Sequence, residues 1–214
     1  TIIEGTHKYS LLETLKQIDP NTNLSLIDIP DNIIANTYSY QLTDSAERIV
    51  RNILDFSSKY INKIWEERDK TIALKNISEM FILGSIVEKE TSLKREKSII
   101  AGVFFNRLDK TMRLQSDPTV EFSITKGQRK LGRNLLRKDL KFVSDYNTYV
   151  NFGLPPSPIC FPGIESLKGV ANPYKSDFLY FVSNNTDRGH LFSSNYKDHL
   201  ENIKILKSMK KNGN

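Results

Sequence analysis

Apolar residues recur at intervals of three and four along much of the chain, which is the spacing of amphipathic helices. The clearest example follows Ala46. Asp44 and Glu47 have the form of a capping box, so this helix is expected to begin at Thr43 or Asp44. The stretch at 77–89 lacks a polar face, which predicts a buried helix. The helices predicted from the pattern span about residues 8–17, 43–65, 77–89, 94–108, 164–171 and 196–209.

The pattern of apolar and polar residues predicts little β-structure. Residues 179–183 and 190–193 are predicted to pair as a hairpin across the intervening polar segment. Residues 24–29 are interpreted either as a strand or as extended linker, and residues 1–4 as a short β-like stretch. Residues 112–125 are predicted to form an extended loop that closes into a short helix. Helices accompanied by a few short strands place the chain in the α+β class.

Length and charge set limits on the kind of protein. At 214 residues the chain suffices for one domain, or for one domain and a fragment of another. It shows no signal-peptide pattern and no apolar run approaching the roughly 18 residues of a membrane span. Because it begins at Thr1, we interpret it as a processed chain or a fragment. A net charge of +6 favours an anionic partner, but no basic run is interleaved with aromatic residues as in a single-strand binder.

The sequence predicts neither a metal nor a cofactor. Its one cysteine, Cys160, excludes a disulfide framework and a cysteine-based metal site. The three histidines, His7, His190 and His199, are scattered without the spacing of metal ligands, and we interpret His190 as structural. No glycine-rich phosphate loop and no nucleophile elbow is present.

Two carboxylates, Glu88 and Glu90, end the buried helix at a place where most helices carry cations. Burial and the helix dipole both disfavour a charged carboxylate there, so its pKa is expected to rise. A raised pKa is what a general acid needs near neutral pH. The alternative is a solvated helix end in which the glutamates pair with Lys89 and Lys94. The residue pattern alone does not decide between the two glutamates.

Glycoside hydrolysis requires a second carboxylate across the scissile bond. The candidates are Glu88, Asp117, Glu121 and Asp145. Glu88 is two residues from Glu90 and faces another side of the helix, so we interpret it as structural. Asp117 precedes a proline, a position typical of turn formers. Loop residues such as Gln115 and Asn147 suit sugars. The residues by themselves therefore indicate a carbohydrate-active enzyme with a single acid.

Several blocks of the chain, taken together and in order, resemble the YceG-like endolytic transglycosylases of bacteria, the MltG family. The blocks are Ser85-Ile86-Val87-Glu88-Lys89-Glu90-Thr91, Val103-Phe104-Phe105-Asn106-Arg107-Leu108, Met112-Arg113-Leu114-Gln115-Ser116-Asp117-Pro118-Thr119-Val120, Tyr146-Asn147-Thr148-Tyr149, Gly153-Leu154-Pro155-Pro156, Pro162-Gly163 with Ser166-Leu167-Lys168, and Leu179-Tyr180-Phe181-Val182 with Gly189-His190 and Phe192. The resemblance covers about residues 77–206, and more weakly the segment from Thr1 onward.

The resemblance implies a peptidoglycan lytic transglycosylase, which cleaves the β-1,4 bond between N-acetylmuramic acid and N-acetylglucosamine without water. One glutamate protonates the glycosidic oxygen and then assists attack by the muramoyl 6-hydroxyl, which leaves a 1,6-anhydro end. The family's catalytic glutamate directly precedes a threonine, which corresponds to Glu90. Gln115, Asp117, Asn147 and Tyr149 match the family's cleft motifs. They are expected to bind sugar hydroxyls and acetamido groups, or to orient the acid.

The resemblance also implies an architecture and a location. Residues 31–214 would form a helical, lytic-transglycosylase-like catalytic core, and residues 1–30 the tail of a LysM-like module or a linker. The family's N-terminal membrane helix would precede this chain. It would anchor the protein by a single pass in the inner membrane, with the catalytic domain in the periplasm. The expected partners are peptidoglycan glycan strands and membrane peptidoglycan synthases.

Three alternatives stay open. The first is a glycan-binding scaffold of the cell-wall synthesis machinery with little activity. The second is a nucleic-acid binder, motivated by the basic charge alone, which would show a steep salt dependence of affinity. The third is a true hydrolase, which would differ only in its product.

Overall fold

A computed structural model describes residues 1–184 and 189–212 of the chain. Within these residues, no helix is both long and apolar enough to cross a bilayer. Seven α-helices, two short 3-10 helices (Leu26–Asp28 and Asp139–Lys141) and one two-stranded sheet make up the regular structure of these residues, which confirms the α+β class. In chain order the α-helices and strands are α1 Lys8–Ile18, α2 Ala46–Glu66, α3 Ile77–Glu90, α4 Lys94–Asp109, α5 Asp117–Thr125, α6 Ile164–Ala171, β1 Tyr180–Ser183, β2 His190–Ser193 and α7 Tyr196–Asn212.

Helix α3 is the centre of the main core, as its apolar sequence predicted. Every residue from Met80 to Val87 is buried. Helices α4 and α6 pack on α3, and α4 and α6 also pack on each other. Gly102 lets the backbone of Tyr174 approach α4 closely, since a Cβ there would collide with the Tyr174 carbonyl oxygen. A helix covered on all sides in this way ends at a fixed point, and its last residue is Glu90.

The first thirty residues pack against the rest of the chain through a second apolar cluster. Leu11, Leu12 and Leu15 of α1 join the apolar face of α2 and Phe161 in this cluster. Backbone hydrogen bonds reinforce the contact, with Gly5 donating to the Phe161 carbonyl at 3.0 Å and Phe161 donating to Thr6 at 2.8 Å. The segment is therefore attached to the main body by both packing and backbone pairing.

The predicted hairpin is present. Strands β1 and β2 are antiparallel, with Tyr180 opposite Ser193 and Ser183 opposite His190. Part of the connecting segment, residues 185–188, lies outside the described residues. Two side chains of α4 hold the chain just before the hairpin: Asn106 donates to the carbonyls of Ser176 and Phe178, and Arg107 donates to that of Leu179. The hairpin is thereby fixed to the helical core.

Helix α2 begins at Ala46, two to three residues after the predicted start at Thr43 or Asp44. Ser45 is the N-cap, and its hydroxyl accepts a hydrogen bond from the Arg48 amide. The Asp44 carboxylate does not cap the helix, and its Oδ2 accepts from the backbone amide of Gln41. The predicted capping box with Glu47 is therefore absent.

Two further local predictions were also wrong. Residues 24–29 form neither a strand nor an extended linker, because Ser25 and Asp28 bond to each other and close a short 3-10 helix at Leu26–Asp28. Thr91 and Ser92 have the short polar side chains that favour N-cap positions, so the sequence predicts one of them as the cap of α4, but the N-cap is Leu93. Short polar side chains offer several local backbone partners, and tertiary contacts select among them.

A buried ion pair fixes the end of α3. Lys97 of α4 places its Nζ 2.9 Å from both carboxylate oxygens of Glu88, and both side chains are almost fully buried. Glu88 Oε2 also accepts from the Ser166 hydroxyl at 2.6 Å and from the Gly163 amide at 2.9 Å. Glu88 therefore joins α3 to both α4 and α6, which confirms its structural role and contradicts pairing with Lys94.

Replacing Lys97 by Met should destabilise the protein by about 3–5 kcal/mol, because it leaves the Glu88 carboxylate buried without its cation. Urea unfolding followed by circular dichroism measures the loss. Lys94→Met, an exposed lysine at the start of the same helix, is the matched control and should change stability by less than about 0.5 kcal/mol. Equal unfolding free energies for the two variants would contradict a stabilising role of the pair.

Candidate active site

Glu90 ends α3 beside the start of α5. The residue is partly buried and keeps some exposure to solvent. The hydroxyl of Ser116 donates to Glu90 Oε1 at 2.6 Å. Burial is the main cause that raises the pKa of Glu90 to about 7, and the negative charge of Asp117 raises it further. The hydrogen bond from Ser116 and the positive charge of Arg107 act in the opposite direction and lower this pKa. A substantial fraction of this carboxyl is therefore protonated at neutral pH.

Ser116 is held in place by a buried network. It is the N-cap of α5, but its hydroxyl makes no cap hydrogen bond and donates to Glu90 instead. The Ser116 amide donates to the Thr148 hydroxyl at 3.0 Å, and Thr119 donates to the Ser116 carbonyl at 2.7 Å. The hydroxyls of Thr119 and Thr148 lie 2.8 Å apart. These contacts fix the direction from which Glu90 receives its hydrogen bond.

Asp117 and Tyr149 form a polar pair next to Glu90. The Tyr149 hydroxyl donates to Asp117 Oδ1 at 2.5 Å. Burial, the hydrogen bond to Asp117 and the nearby negative charges raise the pKa of Tyr149 well above its usual value. Tyr149 therefore stays a neutral hydrogen-bond donor at every physiological pH.

Gln115 is exposed at the edge of this site. Its backbone lies in the left-handed region with φ 49°, and its amide donates to the Thr148 carbonyl at 3.1 Å. A residue other than glycine in this conformation is strained by about 1 kcal/mol or more, and such strain is common at functional sites. Within the described residues the Gln115 side chain forms no hydrogen bond, and it is exposed one residue before Ser116, the donor to Glu90.

Asn147 differs from the expectation of a sugar-binding side chain. It is fully buried, and its side-chain amide donates to the carbonyls of Leu140 and Phe142. Its side-chain oxygen accepts from the Tyr149 amide at 2.9 Å. Both ends of the Asn147 side chain are thus used within the protein. The residue shapes the loop that presents Tyr149, and it does not face the site.

The sequence reasoning did not single out two residues of this site, Ser116 and Arg107. Arg107 is buried, donates to the carbonyls of Leu179 and Leu114 at 2.7 Å each, and lowers the pKa of Glu90 through its charge. A signal for Arg107 was available, because it follows Ile100 and Phe104 on the apolar face of α4. No comparable signal existed for Ser116, whose role depends on a contact with a residue 26 positions earlier.

The other candidate carboxylates have different surroundings. Glu88 is bound in the ion pair with Lys97. Glu121 accepts a hydrogen bond from the Leu131 amide, and Asp145 is exposed. Asp117 is the carboxylate whose charge acts on Glu90. The residues described include no group of three or more acidic, histidine or cysteine side chains suited to a metal ion.

His190 is structural, as predicted. Its Nδ1 lies 2.8 Å from Glu96 Oε2, and its backbone amide donates to Glu96 Oε1 at 3.0 Å. Glu96 is buried and also accepts a hydrogen bond from Thr91, the residue that follows Glu90. This set of contacts ties the start of β2 to the junction of α3 and α4.

The geometry supports one kind of chemistry. A carboxyl group with a pKa near 7, held by one short hydrogen bond on a rigid helix end, can give a proton and take it back at neutral pH. The exposed Asp117 lies close enough to act on it by its charge, and the exposed Gln115 directly precedes Ser116 in the chain. The arrangement is that of a general acid and base beside a surface able to hydrogen-bond a polar substrate.

Comparison with known proteins identifies similar chains. A protein from Streptococcus pneumoniae serotype 2 (strain D39), named endolytic murein transglycosylase, is 32% identical over 210 residues, which are 94% of this chain and 36% of that protein. A protein of the same name from Bacillus subtilis (strain 168) is 29% identical over 212 residues, which are 90% of this chain and 57% of that protein. The chain therefore spans between about a third and somewhat more than half of these relatives.

A solved structure has a similar fold. The crystal structure of a protein described as yceG-like from Listeria monocytogenes superposes with a TM-score of 0.67 at 30% sequence identity, over 92% of this chain and 65% of that one. The family model described as YceG-like matches residues 1–205, which include both the first thirty residues and the site around Glu90. On these grounds the chain belongs to the YceG-like family.

Proposed function

We propose that this chain is the catalytic part of a peptidoglycan lytic transglycosylase in which Glu90 acts as both acid and base. The observation that carries the proposal is the Glu90 carboxyl with its pKa of about 7, set at the end of a buried helix. The names of the relatives from Streptococcus and Bacillus support the same substrate class.

The proposed reaction needs only one carboxyl group. Protonated Glu90 gives its proton to the glycosidic oxygen as the bond from that oxygen to the anomeric carbon of N-acetylmuramic acid breaks. The Glu90 carboxylate then takes the proton of the muramoyl 6-hydroxyl while that oxygen bonds to the anomeric carbon. The product carries a 1,6-anhydro end, Glu90 is protonated again, and no water is consumed. Since the substrate supplies the nucleophile, a second acid is unnecessary.

The groups around Glu90 support this double role. The Ser116 hydroxyl stabilises the carboxylate that forms after the first step, and burial stabilises the carboxyl present before it. Arg107 adds positive charge that limits the rise in the pKa of Glu90. Opposing influences of this kind keep the pKa near the working pH, where one group serves best as acid and as base.

The substrate-binding part of the proposal rests on Gln115, Asp117 and Tyr149. Gln115 offers an exposed amide, while Asp117 and Tyr149 offer paired polar groups, to sugar hydroxyls and acetamido groups. Asn147 is assigned a supporting role, because its side chain holds the Tyr149 loop from inside the protein.

Architecture and location complete the proposal. We infer that residues 31–214 form a lytic-transglycosylase-like core and that residues 1–30 are the tail of a LysM-like module. The proposed setting is the periplasmic face of the inner membrane, held by a single-pass anchor outside this sequence. Membrane peptidoglycan synthases that supply nascent glycan strands are the proposed protein partners.

Glu90→Gln should lower the cleavage of purified peptidoglycan by roughly 10²–10⁴-fold, because an amide cannot exchange the proton. Mass spectrometry of the glycan ends should find 1,6-anhydro ends with the unmodified chain and lose them with the variant. Asp145→Asn, which changes an exposed carboxylate, is the control and should leave the products unchanged.

The other outcomes of this experiment separate the alternatives. Ends heavier by one water would make the protein a hydrolase. Unchanged cleavage in Glu90→Gln would remove this residue from the chemistry. Glycan binding without cleavage by the unmodified chain would favour the scaffold function.

The pH at which cleavage declines should identify Glu90, because two substitutions beside it should shift that pH in opposite directions. The free enzyme requires protonated Glu90, so kcat/KM should fall as the pH rises through about 7. Ser116→Ala removes a donor that favours the charged form, so the fall should move to higher pH by roughly one unit. Asp117→Asn removes a neighbouring negative charge, so the fall should move to lower pH. Shifts in the same direction would contradict Glu90 as the titrating acid.

Gln115→Ala should raise KM by up to about tenfold, because it removes one hydrogen-bonding group from the substrate surface. It should leave the pH of the fall in kcat/KM unchanged, since Gln115 is not among the groups that set the pKa of Glu90. Steady-state kinetics on soluble glycan strands provide both quantities. A change in kcat alone would argue against a binding role for Gln115.

A further inference from the structure

The positive charge of the chain is concentrated in one segment. Residues 126–141, called the basic loop below, contain seven lysines and arginines and one carboxylate, Asp139. The net charge of this loop equals the +6 of the whole chain, so acidic and basic residues balance over the remainder. The net positive charge of the chain therefore resides in the basic loop.

The basic loop is held by specific contacts. Arg133 forms a two-pronged ion pair with Asp139 at 2.5 and 3.1 Å, and Asp139 also accepts from the Leu136 amide. The Asn147 side chain donates to the carbonyls of Leu140 and Phe142. The loop thus has a defined shape that presents its remaining side chains outward.

Most cations of the basic loop are not used inside the protein. Arg129, Lys130, Arg137 and Lys141 are exposed, and no ion pair is recorded for them among the described residues. Self-repulsion between these cations is unfavourable, and an anionic partner would remove it.

Exposed apolar side chains accompany these cations. Val143 is 89% exposed, Leu136 48% and Phe142 44%, all within or directly after the basic loop. An inorganic polyanion such as polyphosphate makes contacts through its charges alone and gains nothing from exposed aliphatic side chains such as Val143 and Leu136. The interface of a bilayer accepts both, because cations meet the lipid headgroups while apolar side chains enter the acyl boundary.

We propose that the basic loop, together with Val143, Leu136 and Phe142, docks on the surface of a bilayer that contains anionic lipids. The loop is tied to the candidate active site through Asn147, whose side chain bonds both to the Leu140 carbonyl and to the amide of Tyr149. Docking would hold the site at a fixed small height above the lipid headgroups. The proposal does not depend on the chemistry of Glu90.

Co-sedimentation of the chain with vesicles tests this docking directly. The chain should bind vesicles of phosphatidylglycerol and phosphatidylcholine, and it should not bind vesicles of phosphatidylcholine alone. Binding should weaken as salt is added, because added ions screen the headgroup charge. Since no catalysis is involved, Glu90→Gln should bind equally well, which separates this test from that of the proposed reaction.

Removing cations should weaken binding only where they belong to the basic loop. The triple variant Lys130→Gln, Arg137→Gln, Lys141→Gln should bind on the order of 100-fold more weakly, at about tenfold or less per cation. The control triple variant Lys197→Gln, Lys204→Gln, Lys207→Gln removes the same charge from exposed positions of α7 and should retain most of the affinity.

Val143→Ser distinguishes a bilayer from a soluble polyanion. This exposed substitution should leave the fold intact and weaken vesicle binding about five- to tenfold without changing the salt dependence. Three results would overturn the proposal: no binding to anionic vesicles at low salt, equal losses in the two triple variants, or unchanged binding of Val143→Ser accompanied by equally tight binding of polyphosphate.

Discussion

The structure depends on the buried contact that fixes the end of α3. Apolar packing determines where the helix lies, but apolar contacts are non-directional and allow small rotations and slides. The Glu88 carboxylate, bonded to Lys97 of α4 and to Ser166 and Gly163 of the α6 region, removes that freedom. Loss of one partner would leave a buried charge, so the arrangement is strongly specified. Helices α4 and α6 are thereby positioned relative to the end of α3.

Two glutamates only two residues apart acquire opposite properties from this arrangement. Glu88 faces the core, where a buried lysine meets both of its oxygens, and it serves the fold. Glu90 faces the start of α5, where one serine hydroxyl is its hydrogen-bond partner and burial keeps its pKa near 7. The difference between a structural and a chemically useful carboxylate lies in whether a cation binds it directly, as Lys97 binds Glu88.

The polar site around Glu90 and the basic loop are different parts of the surface, and the buried side chain of Asn147 connects them. Asn147 lies between the polar site around Glu90 and the basic loop, and its side chain bonds to backbone on both sides. Its burial explains why a polar residue in a motif that resembles a substrate-binding block takes no part in the exposed surface. A buried amide that satisfies three backbone groups supports two loops at once, and this joint role couples the position of the site to that of the loop.

Periodicity and composition are local properties, so the sequence was enough to predict the helices, the hairpin and the place of Glu90 at a helix end. The concentration of charge in residues 126–141 could be predicted in the same way. Ordered motif blocks also indicated the family. The tertiary structure alone decided the rest: that Lys97 pairs with Glu88, that Ser116 donates to Glu90, that Asn147 turns inward, and that Ser45 rather than Asp44 caps α2. Each of these depends on which of several available partners a polar group meets. Periodicity shows which face of a helix is buried, but it does not show which distant side chain or backbone group lies against that face.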